Sequence, residues 1–181
     1  MAVNDAAVFI PGTGYAYIAP AETARPADLV SPASPWVDLG HTSRENGLGI
    51  GREGGDSEIL GTWRNPSLRE RRDPISYYVT INLLQFDNQN LRLFFGGGDI
   101  TGDEIFGVPL NPAAQDHALY VRIVDGANAL GLYAPKVSVA PEDDMEVDVE
   151  SFLEMPVRAT ILGVEGSNLM EFLGAGLGTP V

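Results

Sequence analysis

The sequence predicts a mainly β protein, an antiparallel β-sandwich or barrel with one short flanking α-helix. Residues 75–83 alternate, with Ile75, Tyr77, Val79, Ile81 and Leu83 on one face and Ser76, Tyr78, Thr80 and Asn82 on the other, the period of a half-buried strand. Downstream, residues 105–108, 119–124 and 130–140 form apolar stretches bounded by Gly, Pro or Asp-Gly, spaced as in an all-β antiparallel domain. Residues 87–96 carry the best helical pattern in the chain.

Taken in order, residues 8–19 predict a short strand, a break at Pro11-Gly12 and an alternating segment with Tyr15 and Tyr17. Residues 20–35 hold four prolines and read as an irregular arm, because proline has no amide to donate to a sheet. Such an arm lies either on its own subunit or on a neighbour. Residues 46–55, NGLGIGREGG, spell Gly49-x-Gly51-x-x-Gly54. A dinucleotide site needs a buried strand before that pattern and a helix start after it. Here polar residues precede and a strand-like segment follows, so the stretch predicts a Gly-rich loop that is mobile before assembly.

Residues 57–64 predict a second strand, with Ile59 and Trp63 on one side and Glu58, Leu60, Thr62 and Arg64 on the other. The connection 65–74 is too long for a tight turn and too polar for burial. The two strands are therefore expected to pair as an extended hairpin with a charged tip. In the helix, Asp87 can cap the start, Gly96 can close the end, and Leu91, Phe94 and Phe95 share a face. An isolated helix of about ten residues is marginal in water, so these three side chains are expected to pack it onto the sandwich.

Asp125-Gly126 predicts a turn. Glu142, Asp143, Asp144, Glu146, Asp148, Glu150 and Glu154 then follow with no intervening base, and Val147 and Val149 alternate with acids, predicting a strand with one acidic face. That face meets either solvent or a basic partner. Residues 156–162 predict a final strand with Val157, Ala159 and Ile161 on one side, residues 168–172 a helical turn, and residues 173–181 a loose tail.

The whole chain, 181 residues and 44% hydrophobic, fits one domain with a sizeable core. No apolar run reaches the roughly 20 residues of a membrane helix, so no membrane insertion is expected. The N-terminus lacks signal-peptide character, which points to a cytoplasmic site of synthesis. With no cysteine and only His41 and His117, thiolate and zinc sites are not expected. A net charge of -14 argues against a conventional nucleic-acid binder. It suits an abundant protein kept soluble by its charge.

Enzymatic chemistry finds no foothold. The acidic run titrates as a solvated face, Asp99-x-Thr101-x-Asp103-Glu104 lacks the other elements of an EF-hand and reads as a polar turn, and no nucleophile elbow or Walker loop is present. No catalytic residue, metal or cofactor is expected. The Arg64, Arg69, Arg71 and Arg72 group is the one positive patch, and ten of the eleven basic residues are Arg, the side chain suited to two-pronged pairing with carboxylates.

Trp36-Val37-Asp38-Leu39-Gly40-His41-Thr42-Ser43, a Gly-rich stretch, Gly61-Thr62-Trp63, Tyr78-Val79-Thr80-Ile81-Asn82, Gln85-Phe86-Asp87 and Phe94-Phe95-Gly96-Gly97 follow one another in a characteristic order. In that order and spacing the chain resembles the major tail tube proteins of long, non-contractile-tailed phages over most of its length. The resemblance implies a β-sandwich whose extended hairpin joins those of its neighbours in an intersubunit barrel, with hexameric rings stacked around a channel for genome delivery. It implies partners: copies of itself, laterally and from ring to ring, a tape-measure protein, a tail terminator, distal tail proteins, and DNA in transit without specific binding. The expected location is the virion tail, after assembly in the host cytoplasm.

Under this reading Glu58, Leu60, Thr62, Arg64, Ser76, Tyr78, Thr80 and Asn82 belong to the lining hairpin. Arg69, Arg71 and Arg72 are expected to meet Asp144, Glu146, Asp148 and Glu150 of an adjacent subunit or ring; solvated charges at a loop tip are the competing reading. There are two alternatives: the inner tube of a contractile system, which uses a similar fold, and a monomeric β-sandwich carbohydrate-binding module on a virion. The latter needs an aromatic platform, for which Trp36, Trp63, Tyr77 and Tyr78 are available; the core-facing positions expected for Trp63 and Tyr77 count against it.

Overall fold

In a computed structural model, which describes residues 8–102 and 104–174, a long antiparallel sheet bends over itself to enclose the core. The strands are β1 (Thr13–Pro20), β2 (Val37–Asp38), β3 (Leu48–Gly54), β4 (Ser57–Leu60), β5 (Arg69–Arg72), β6 (Ile75–Leu83), β7 (Asp99–Thr101), β8 (Ile105–Gly107), β9 (Gln115–Asp125), β10 (Asn128–Pro141), β11 (Met155–Ile161) and β12 (Glu171–Gly174). The helix α1 spans Asn88–Phe95. The main sheet runs β2-β1-β9-β10-β11-β6-β3, with β12 also on β10; β4-β5 and β7-β8 form separate two-stranded sheets.

β10 belongs to both leaves of the sandwich. Its register against β9 shifts between Ala134 and Val137, where Pro135 removes a ladder donor. Before the shift β10 pairs with β12, after it with β11. Alternation then turns Ala16, Ile18, Leu119, Val121, Leu132 and Ala134 of one leaf toward Val79, Ile81, Leu83, Val157, Ala159 and Ile161 of the other, in one buried cluster.

The helix begins and ends where its sequence signals stand. Asp87 accepts from the Asn90 amide, and Gly96 takes a left-handed conformation at φ 64°. Leu93 and Phe94 are buried in the core, with Leu91 and Phe95 half-buried at its margin. Asn90 is fully buried and donates from Nδ2 to the carbonyls of Leu39 and Gln85, both at 3.0 Å. It ties the helix to the loops on either side of the sandwich end.

The proline-rich arm packs against the outer side of the first leaf. Tyr17, Ala19, Ala118, Tyr120 and Tyr133 point away from the main core and cluster with Trp36, against which Leu29 packs. The Tyr120 hydroxyl donates to the Leu29 carbonyl at 3.0 Å and the Tyr133 hydroxyl to that of Thr23 at 2.7 Å. The first leaf is thus covered on both faces, which is why these tyrosines are buried.

Several expectations need correction. The first strand starts at Thr13, not Val8. Residues 46–55 are not a loop: Gly49, Gly51 and Gly54 lie in β3, paired with β6. The acidic residues 142–154 form a loop, not a strand, because Thr80 of β6 already pairs with Arg158 of β11 and leaves no slot between them. Residues 168–172 are not helical; Glu171–Gly174 occupies the edge of β10, whose hydrogen bonds outweigh an isolated helical turn. Leu173 and Gly174 are therefore held in a sheet, and the remainder of the expected loose tail, 175–181, lies outside the described residues.

Candidate assembly site

The extended hairpin is longer than the sequence pattern suggested, and its arms differ. β3 pairs with β6 from Leu48/Ile81 to Gly54/Ile75, and β4 pairs with β5 from Ser57/Arg72 to Leu60/Arg69. Both ladders keep the same register. Between them Gly54 and Gly55 adopt φ of 76° and 81°, and the Asp73 amide donates to Asp56 at 2.9 Å, carrying the register across the gap. Four of the ten residues of the expected 65–74 connection, Arg69–Arg72, are therefore strand. Ser57–Leu60 pairs with Arg69–Arg72 rather than with β6, which is already engaged by β3 and β11.

At the distal end, Thr62 and Asn65 exchange backbone hydrogen bonds of 2.7 and 3.2 Å, and the Asn65 amide also reaches the Thr62 hydroxyl. Trp63 and Arg64 sit at the apex of this turn. Trp63 is fully exposed, contrary to the core position expected for it, because the strand ends at Leu60. Ile59, Leu60, Leu68 and Ile75 are exposed along the same hairpin. No aromatic platform forms from the four candidates: Trp36 is buried edge-on against Tyr120 and Tyr133, while Trp63 stands alone at the apex.

The arginines divide between two faces. Cross-strand partners point the same way, so Arg69 and Arg71 share a face with Leu60 and Glu58, while Arg72 and Glu70 lie opposite with Ser57 and Ile59. Arg72 pairs with Glu70 at 2.9 Å and Arg71 with Asp73 at 3.6 Å. Among the described residues, no ion pair joins Arg69, Arg71 or Arg72 to the acidic loop.

At the hairpin base, Ser76, Tyr78, Thr80 and Asn82 point away from the core. Across from Thr80 and Tyr78 stand Gly49 and Gly51. A Cβ at Gly51 would come within 2.4 Å of the Tyr78 ring, so glycine is required here for close approach, not mobility. The Arg158 guanidinium lies 3.7 Å from the centroid of the Tyr78 ring. It also contacts Glu53 at 2.7 Å and, more weakly, Glu142 at 3.5 Å.

Asn82 and Asn46 donate to Glu154 at 2.7 and 2.8 Å. Desolvation pushes Glu154 up, but hydrogen bonds from Ser43, Asn82 and Asn46 together outweigh it and hold the carboxyl below its ordinary range. The acidic loop curls over this face, and Asp144 and Glu146 line a polar cleft of about 530 Å³ with Thr80 and Asn82. The fold thus gathers two groups of expected site residues. Asp148 and Glu150 stand exposed on the loop, beside the exposed Val147, Val149 and Phe152.

Sequence reasoning missed Glu53, Arg158 and the glycines opposite Tyr78 and Thr80. Two signals were available: Gly47-Leu48-Gly49-Ile50-Gly51 alternates like a strand, and Arg158 falls between the inward-facing Val157 and Ala159.

The family model described as "Phage tail tube protein" matches residues 1–180. The chain is 40% identical over 179 residues to "Major tail protein Gp23" of Mycobacterium phage D29, covering 91% of this chain and 89% of that protein. To the protein of the same name from Mycobacterium phage L5 it is 38% identical, with the same coverage.

Proposed function

Because this chain belongs to the phage tail tube protein family, we propose that copies of it close into hexameric rings that stack into the channel through which the genome leaves the capsid. The observation that carries this reading is the hairpin. One register runs from Leu48/Ile81 to Leu60/Arg69, and its distal half is exposed while bearing Ile59, Leu60, Trp63 and Leu68. β3 is also an edge of the main sheet. Unpaired edge amides and carbonyls invite association, and a ring of copies removes those edges. An obligate interface of this kind typically buries more than about 2,000 Å².

The outward face of β3, β6 and β11 suits the wall of a bore. It presents Ser76, Thr80 and Asn82, and the acidic loop adds Asp144 and Glu146 beside them. A polyanion gains affinity chiefly by exchanging counterions for Lys and Arg. A wall of amides, hydroxyls and carboxylates offers little of that exchange, so DNA slides. The tip arginines would pair with the acidic loop of an adjacent subunit or ring. The tape-measure protein would occupy the same bore during assembly, and terminator and distal tail proteins would cap the ends.

Negative-stain microscopy of the purified protein tests the reading. Rings or tubes of uniform width are expected. Monodisperse small particles at high concentration would overturn it.

A further inference from the structure

We propose that Arg158 is a locked cation: Glu53, Glu142 and the Tyr78 ring hold its guanidinium so that the face of β3, β6 and β11 cannot retain a polyanion. The inference rests on the proposed placement of this face in the bore, and it names the residues that keep such a wall non-retentive. Arg158 projects outward from β11 among the neutral groups Thr80, Tyr78 and Thr160 of that face. Left free, a guanidinium there would offer a phosphate two parallel hydrogen bonds.

Three elements occupy it instead. Tyr78 of β6 covers one planar face at 3.7 Å, Glu53 of β3 takes Nη2 at 2.7 Å, and Glu142, just past the end of β10, lies 3.5 Å from Nη1. The side chain is only 22% exposed. Gly51 makes the stack possible, because a Cβ there would drive the Tyr78 ring aside. Two carboxylates against one guanidinium leave the group with a net negative charge, and a passing phosphate would have to displace both.

The test uses assembled tubes and a short fluorescent duplex, with retention measured by co-sedimentation at about 50 mM and about 200 mM salt. Wild-type tubes are expected to retain little. Glu53→Gln/Glu142→Gln tubes, with Arg158 released, should retain at least about tenfold more at the lower salt and lose most of it at the higher. Adding Arg158→Gln should return retention to the wild-type level. Should the double variant not polymerise, Glu142→Gln alone, which removes only the longer contact, should show a smaller rise of the same salt dependence.

Unchanged retention on removal of the carboxylates, or a rise that survives Arg158→Gln, would overturn the lock. Electron cryomicroscopy of the same tubes separates that failure from failure of the underlying reading: Arg158 found on the outer wall refutes the placement, whereas Arg158 found at the bore with unchanged retention refutes the lock alone.

Discussion

Gly51 and Glu154 show how single positions shape this surface. At Gly51 the constraint is space: the Tyr78 ring crosses the position where a side chain would begin. Gly51→Ala is expected to destabilise the fold by about 1–3 kcal/mol through overpacking, measured by chemical denaturation of monomer. If the ring is the cause, the same substitution in a Tyr78→Ala background should cost less than about 0.5 kcal/mol; equal costs in both backgrounds would place the strain elsewhere. At Glu154 the constraint is protonation. Its folded pKa lies below the unfolded one, so its contribution to stability is fully present above the ordinary value of 4.5 and is lost as pH falls through the folded value. Wild type should therefore exceed Glu154→Gln in stability near neutrality, and the gap should close on acidification. A gap that stays constant from neutral to acid pH would contradict the assigned hydrogen bonds.

Among the elements, α1 was the most legible, because its stop signals are local: Asp87 caps it and Gly96 ends it. Asp87→Ala should cost about 1 kcal/mol and Asn90→Ala about 1–3 kcal/mol, since the latter leaves the Leu39 and Gln85 carbonyls without their donor. Thermal denaturation ranks the two, and a neutral Asn90→Ala would show that water replaces the amide. The inward alternation of Val79, Ile81 and Leu83 was equally legible, as was that of Val157, Ala159 and Ile161. The hairpin partners were not, because pairing is decided by competition for edges. Residues 57–64 had the better composition for joining β6, yet Leu48–Gly54 took that edge, its glycines leaving room for Tyr78 and Thr80. Residues 142–154 carried strand periodicity but lie between β10 and β11, which pair directly with each other, and β11 is closed on its other side by β6. Of the candidate site, the outward row Ser76, Tyr78, Thr80 and Asn82 could be read from alternation. The splitting of Arg69 and Arg71 from Arg72 could not, since it depends on residues 69–72 being a strand, where the sequence reads as a polar connection. That split makes a prediction. Arg72 already has Glu70 at 2.9 Å, whereas Arg71 reaches Asp73 only at 3.6 Å, so Arg71→Glu should lower polymer yield in a pelleting assay more than Arg72→Glu. Normal yield from both reversals would leave these arginines as solvated charges.

For the whole molecule, the proposed assembly draws on a different surface from the one that stabilises the fold. The sandwich buries its core between two leaves, and its first leaf is covered on the outside by the arm. The distal hairpin contributes little to these buried layers: among the described residues β4 and β5 pair only with each other, and they are exposed along their whole length. Residues kept there face no demand from the monomer, so an apolar side chain such as Trp63 is best explained by an interface. Trp63→Ser should accordingly leave monomer stability within about 0.5 kcal/mol of wild type, as for surface positions generally. In the polymer, tryptophan at the centre of a contact commonly carries about 2 kcal/mol or more, equivalent to roughly thirtyfold in an equilibrium constant. The critical concentration for tube formation, read by light scattering across a dilution series, should rise by about that factor. A mutant that melts with wild type but polymerises only at higher concentration would assign the apex to the interface. One that polymerises like wild type would mean that the copies meet through the base of the hairpin, along the β3 edge, and that the apex stands free in the assembled tail.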